Sequence, residues 1–166
     1  KLANQILPPW DREMTKAAAG HLAQNHVELR LTDSVASFAE EDGRVRVTYQ
    51  SGTSQIVDLV ILSVGVRPEN RLAIAAGLAI GPRGGIQVDE FMRTSDPDIY
   101  AVGDAIGGTL LAHVAMEEGM VAAENAMGHT VKMDYRAVPG PIYTVPEVAM
   151  VGLTEEQAKE ISSMRR

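Results

Sequence analysis

The order of apolar patterns along this chain predicts an α/β fold. Three observations carry that expectation. Two runs, "DLVILSVG" (58–65) and "DIYAVG" (98–103), each pass from an aspartate through an apolar strand to a valine-glycine pair. The stretch between them and the N-terminal third contains alternating segments punctuated by turns, as in a β-meander. A run of small residues over about 110–127, closed by Gly128, reads as a helix. Strands mixed with helices in this order are the signature of the class.

Each element follows from local chemistry. Asp11 stands where a cap would open a helix over 12–25, with Met14, Ala18 and Leu22 on one face. "VELRL" (27–31) alternates and reads as a strand. In the meander, "EDG" (41–43) is a hairpin turn, Val45, Val47 and Tyr49 share a face, and "SGT" (51–53) is a second turn. "DLVILSVG" is apolar on both faces, as in a central parallel strand. A short helix over 69–77, a loop "GPRGG" (81–85), a short strand "GIQVDE" (85–90) and a turn region around Pro97 lead into the strand that stops at Gly103. The helix over 110–127 ends on Gly128 as its C′ residue. After a connector (129–140), "PIYTVPEVAMVG" gives two short strands or one bent one. Thr154 and Gln157 form a capping box for a last helix.

Composition narrows the function classes. The 166 residues suffice for one ordinary domain or parts of two. A net charge of −7 with no basic block argues against a nucleic-acid or anionic-membrane surface. With no cysteine there is no disulfide, thiolate zinc site or cysteine nucleophile. No apolar run approaches a membrane span, and the first residues lack a secretory pattern, so the expectation is a soluble, cytoplasmic protein. Both ends read as cuts: the first residues lie part way into a connection, and the last helix runs out without a C-cap. The expectation is a fragment of a longer protein.

The chemistry gathers at the strand ends. Asp104 follows a buried-type strand, where a carboxylate needs donors. Gly107 and Gly108 then remove Cβ atoms, which lets a ligand approach the backbone. The helix beginning near Leu110 offers first-turn amides with partial positive charge. An acid beside bare amides suits a ligand with hydroxyls and an electron-rich carbonyl or anion; the plainer reading of Asp104 is a turn cap. Gly119 within the helix implies close packing by a sheet or a neighbouring subunit. Gly65 opens the edge of its strand to a ligand, whereas Arg67 before Pro68 reads as a surface turn. The four histidines form no metal-ligand pattern, and His113 reads as neutral and packed. Glu117-Glu118 and Glu155-Glu156 read as solvated helix faces. No P-loop and no G-x-G-x-x-G is present.

These segments together resemble one family. "RTSDPDIYAVGDAIGGTLLAHVAMEEGMVAAENAMG" looks like the second flavin-binding motif of the pyridine nucleotide-disulfide oxidoreductases. "PIYTVPEVAMVGLTEEQAKE" resembles the opening of their dimerisation domain. "ILPPWDREM", the meander and "LVILSVGVRPEN" resemble the later half of their NAD(P)-binding domain. Within the family, "GTLLAHVAMEEG" with "YTVPEVAMVGLTEEQAKE" is most similar to dihydrolipoamide dehydrogenases. Other stretches also resemble NADH oxidases and coenzyme A-disulfide reductases, and mercuric reductases are a further alternative.

The resemblance implies partial Rossmann-like FAD- and NAD(P)-binding sheets, three-layered, with the meander and the start of an α+β dimerisation domain. It implies domains at 1–70 (NAD(P)-binding), 71–137 (FAD-binding) and 138–166 (dimerisation). Asp104 would accept a hydrogen bond from a ribityl hydroxyl of FAD. Leu110, Leu111, Ala112 and His113 would lie along the flavin, their amides toward its N1–C2=O edge. Gly65 would contact NAD(H), with NADP left open, and Val35 would line the adenosine side. Ile142 and Tyr143 would start the dimerisation domain. Implied partners are a small dithiol or disulfide substrate, a second copy of the chain and a multienzyme complex. The redox cysteines, the histidine–glutamate pair and the NAD glycine motif of the family all fall outside these residues. The chain by itself is therefore expected to be catalytically inactive, with no catalytic residue of its own. A non-enzymatic interface module is the contrasting alternative.

Overall fold

The computed structural model describes residues 4–8 and 10–164. In chain order its elements are α1 (Arg12–Gln24), β1 (Val35–Glu41), β2 (Arg44–Tyr49), β3 (Ser54–Val57), α2 (Arg71–Ala75), α3 (Ala112–Ala126), β4 (Pro139–Ile142), β5 (Val148–Val151) and α4 (Glu155–Met164), with short 3₁₀ turns at Gly103–Ile106 and Tyr135–Ala137. The class is α/β, as the sequence predicts. The chain divides into two compact units, one of 1–63 with 139–166 and one of 64–138.

In the first unit the meander forms as its turns dictate. β1, β2 and β3 make one antiparallel sheet in sequence order. Asp42 and Gly43 join β1 to β2, both with positive φ (51° and 75°), the two-residue turn whose twist matches paired strands. Val47 and Tyr49 are buried and Val45 is partly so, one face of β2 as alternation requires. Arg30 stacks on the Tyr49 ring at 4.6 Å. β4 and β5 pair antiparallel from Pro139↔Val151 to Ile142↔Val148, so "PIYTVPEVAMVG" is two strands rather than one bent strand.

The helices of this unit hold one surprise. Asp11 precedes α1, but its side chain makes no cap to that helix. Its Oδ1 instead accepts from the Glu155 amide at 3.1 Å, so Asp11 caps α4, 144 residues away. The capping box at α4 is present in full: the Thr154 amide donates to Gln157 Oε1 at 3.0 Å, and the Gln157 amide donates to Thr154 Oγ1 at 3.3 Å. Trp10 adds a second tie, its indole N–H donating to the Gly140 carbonyl at 3.2 Å. On α1 the buried positions are Thr15 and Ala18, while Met14 is half-exposed; the inward face is one residue further round than its apolar residues suggest. The Thr15 hydroxyl donates to the Arg12 carbonyl, which satisfies it inside the unit.

Four expected strands do not form as ladders. Residues 27–31 and 58–65 form neither a strand nor a bridge. "GIQVDE" contributes one bridge, Ile80↔Ile86, and the strand before Gly103 contributes one, Arg93↔Tyr100. An apolar pattern marks a strand, but a ladder needs a partner over several residues. Ile86 and Tyr100 each meet one at a single bridge, and 27–31 and 58–65 have no strand partner among the described residues. Leu59, Ile61 and Val64 are accordingly 73%, 82% and 91% exposed, where a central parallel strand would bury them on both faces.

In the second unit α3 is the organising element. Its buried stripe is Val114, Glu118, Val121 and Ala122, spaced i, i+4, i+7, i+8. Met92, Val121 and Ala122 are the centre of the core, with Val88, Tyr100, Val102, Ile106 and Met133 packed around them. The helix closes as expected. Gly128 (φ 90°) donates to the Asn125 carbonyl and His129 to the Glu124 carbonyl, a Schellman pair. Of the two neighbours expected at Gly119, the sheet is not found among the described residues: a Cβ there would meet nothing within 4 Å of this chain. α2 is a single short turn, and Leu72 on it is 87% exposed.

Candidate functional site

The site is built around the strand end at Gly103. Val102 is extended and Gly103 turns at φ 68°, a left-handed value that favours glycine. This turn is held on three sides. The Gly103 amide donates to Glu118 Oε2 at 2.6 Å inside the unit's core. A Cβ on Gly103 would sit 3.2 Å from the Ala115 Cβ of α3. Below, the 3₁₀ turn lies on the "RGG" loop: the Ile86 amide donates to the Ala105 carbonyl at 2.9 Å, and a Cβ on Gly85 would fall 2.1 Å from the Ile106 carbonyl oxygen. Asn70 fixes that loop by donating to the Gly84 carbonyl at 2.7 Å.

Asp104 comes next and is exposed. It is not the desolvated acid at the end of a buried strand that the sequence suggests, because the backbone turns outward at Gly103. Its carbonyl closes the turn by accepting from the Gly107 amide at 3.1 Å. Among the described residues, nothing donates to its carboxylate, so a turn-cap role for the side chain is overturned. Gly107 (φ 67°) also has a different role from the one expected. The backbone that approaches it is protein: a Cβ there would lie 3.0 Å from Pro68 Cγ and 3.2 Å from the Gly85 Cα.

Past this turn, Leu111 is the N-cap of α3, extended at φ −132° and with no side-chain acceptor to offer the first-turn amides. Leu110 and Ala112 are exposed, and Leu111 and His113 are partly buried. An exposed carboxylate on a braced turn and an uncapped helix start therefore follow each other within one short segment. Such a pair can accept from hydroxyls and donate to an electron-rich oxygen, and the residues present fit the ribityl and ring edge of a flavin. The other expected ligands belong to other stretches of the chain. Gly65 has φ 94° in an exposed, unpaired stretch, where a Cβ would meet nothing within 4 Å. Val35 begins β1, 43% exposed, and belongs to the other unit. Ile142 ends β4, and Tyr143 after it is 84% exposed.

Two groups went unread in the sequence. Glu118 is not a solvated acid. It is 1% exposed, with Oε2 on Gly103 and Oε1 accepting from the Tyr135 hydroxyl at 2.7 Å. Burial of the phenol, then its bond to Glu118 and the charge of that carboxylate, push Tyr135 above its ordinary value of 10.0. Tyr135 as a residue is 44% exposed, and its hydroxyl is the part held by Glu118. The signal for Glu118 was its register with Val114 and Ala122. Gly85 left a fainter one, a second glycine in a loop that needs only one for its turn. Among the described residues no cluster of His, Asp or Glu is placed to hold a metal ion, and no helix is long and apolar enough to cross a membrane.

Comparison with known proteins gives one answer. The sequence profile of the family described as pyridine nucleotide-disulphide oxidoreductase matches residues 1–119. The dihydrolipoyl dehydrogenase of Thermus scotoductus is 42% identical over 163 residues, covering 94% of this chain and 35% of that relative. That of Chlamydia pneumoniae is 37% identical over 160 residues, 95% of this chain and 34% of that relative. Among solved structures, LpdA from Mycobacterium tuberculosis superposes with a TM-score of 0.87 at 27% identity, over 96% of this chain and 35% of that one. The HOCl-induced flavoprotein disulfide reductase RclA from Escherichia coli superposes with a TM-score of 0.86 at 27% identity, over 96% and 38%. The chain thus spans about a third of the length of the relatives it matches.

Proposed function

The chain belongs to the pyridine nucleotide-disulphide oxidoreductase family, and from that premise we propose that it is the flavin-side segment of an FAD- and NAD(H)-dependent dihydrolipoyl dehydrogenase. The observation that carries this is Asp104: an unbonded, exposed carboxylate on a turn that buried groups hold rigid. Asp104 accepts from a hydroxyl of the ribityl chain. The first amides of α3, from Ala112 onward, put partial positive charge against the ring edge that gains electron density on reduction. Leu110, Leu111 and His113 line the same face. FAD, when bound, supplies the electron transfer between NAD(H) and a disulfide.

The rest of the reading follows the same pattern. Gly65 contacts NAD(H) through backbone that no side chain obstructs, and Val35 lines its adenosine. The domain divisions fall at 1–70, 71–137 and 138–166. The substrate is a small dithiol, the full-length protein is a homodimer in the cytoplasm, and the thiol-reactive groups lie outside this segment. A disulfide reductase working in the opposite direction is the second reading, favoured by the fit to the E. coli flavoprotein.

Purified full-length protein tests both. The expected result is a bound flavin spectrum and dihydrolipoamide-dependent reduction of NAD⁺. A flavoprotein that reduces disulfides with NAD(P)H but leaves dihydrolipoamide untouched transfers the assignment to the second reading. A colourless protein that binds no FAD overturns both.

A further inference from the structure

We propose that Glu118 is a positioning residue for the flavin site, locking Gly103 and thereby the direction of Asp104, with Tyr135 holding the carboxylate's second oxygen. This rests on the FAD reading above and deepens it. A carboxylate on the buried stripe of a helix is costly there unless donors satisfy it. Both oxygens of Glu118 are met, by the Gly103 amide at 2.6 Å and the Tyr135 hydroxyl at 2.7 Å. An apolar residue at this place would complete the stripe but leave the Gly103 amide unpaired in the core, and an orphaned buried donor is penalised more than a bond is worth.

The geometry shows what the bond controls. Gly103 is the hinge at which the chain leaves the core, and Asp104 is the next residue. With its amide fixed to α3, Gly103 has one orientation, and Asp104 is displayed before any ligand arrives. Preorganisation of this kind saves the ordering cost at the moment of binding. Tyr135 brings in a second element. It sits in the 3₁₀ turn of the connector after α3, where Asp134 accepts from the Arg136 amide and side chain. The connector is therefore tied to the same carboxylate that sets the acid loop.

FAD binding to the full-length apoprotein, followed by flavin fluorescence, tests this through a mutant cycle. Glu118→Ala weakens FAD binding about tenfold to a hundredfold, the scale of a lost charge-assisted buried bond. Tyr135→Phe, which removes one oxygen and keeps the packing, weakens it about threefold. Glu118→Gln still accepts from Gly103 through its amide oxygen and stays within about threefold of wild type, a rescue that links the effect to the hydrogen bond. In an Asp104→Asn background Glu118→Ala adds less than about twofold, because it acts through the residue already removed. Full additivity in that background, or wild-type FAD affinity in Tyr135→Phe and Glu118→Ala together, overturns the positioning role while leaving the FAD reading standing. Wild-type protein that binds no FAD overturns both.

Discussion

Gly65 and Gly103 end the two stretches with the same design, an aspartate, an apolar run and a valine-glycine pair, yet they end differently. Both glycines have positive φ, 94° and 68°. Around Gly103 the core supplies a carboxylate for its amide, a methyl group 3.2 Å from a Cβ position, and a second loop under the turn that follows. A Cβ on Gly65 would meet nothing within 4 Å, and the apolar residues before it are exposed. The same local signature therefore gives a preformed site only where a neighbouring element reaches it. In the second unit that element is α3. Along 58–65 no strand or bridge pairs with the backbone among the described residues, and Asp58 at its start meets Arg44.

This contrast can be broken or sharpened by substitution. The largest effect is expected at Gly85. A methyl group there would overlap the Ile106 carbonyl, so Gly85→Ala forces the 103–107 turn to move and costs about 3 kcal/mol, the upper end for overpacking. Thermal unfolding of the full-length protein measures it, and an unchanged midpoint would mean the two loops do not touch. Gly103→Ala comes second, at about 2 kcal/mol, from left-handed strain plus the Ala115 contact. Gly65→Ala keeps the strain without the contact and costs about 1 kcal/mol. If the two are equal, the bracing at Gly103 is not energetically real. Gly119→Ala reverses the sign: with open space around it and an ordinary helical position, it stabilises by about 0.5–1 kcal/mol.

The smallest effect is with pH. Tyr135 has a folded value above the unfolded 10.0, so its contribution is complete below pH 10.0 and is lost as pH rises toward the folded value. Its phenol is protonated and donating to Glu118 across the neutral range. In a phenolate absorbance titration, the difference between wild type and Tyr135→Phe should appear only well above pH 10.0. A difference centred at the ordinary tyrosine value would mean that the hydroxyl is solvated.

Local chemistry made much of this readable. The Asp42-Gly43 turn, the buried face of β2, the Schellman end of α3 and the Thr154–Gln157 box each depend on residues a few positions apart, and each is where the sequence places it. Features that depend on distant partners were not readable. Asp11 has the right place to cap α1 and caps α4 instead. Glu118 sits beside Glu117 as an apparent surface pair, and only the helix register separates the exposed acid from the buried one. Strand-like segments carry the right apolar pattern and still form no ladder, because pairing depends on a distant partner. Asp104 was readable as a site residue, but for an incomplete reason: its value comes from exposure on a rigid turn rather than from burial.

Asp104 is the point on which the account stands, and FAD affinity of the full-length protein with Asp104→Asn tests it most directly. The substitution keeps shape and removes the charged acceptor. A Kd raised about tenfold or more, with an unchanged unfolding midpoint of the apoprotein, is the predicted result. Wild-type affinity in that variant would contradict it.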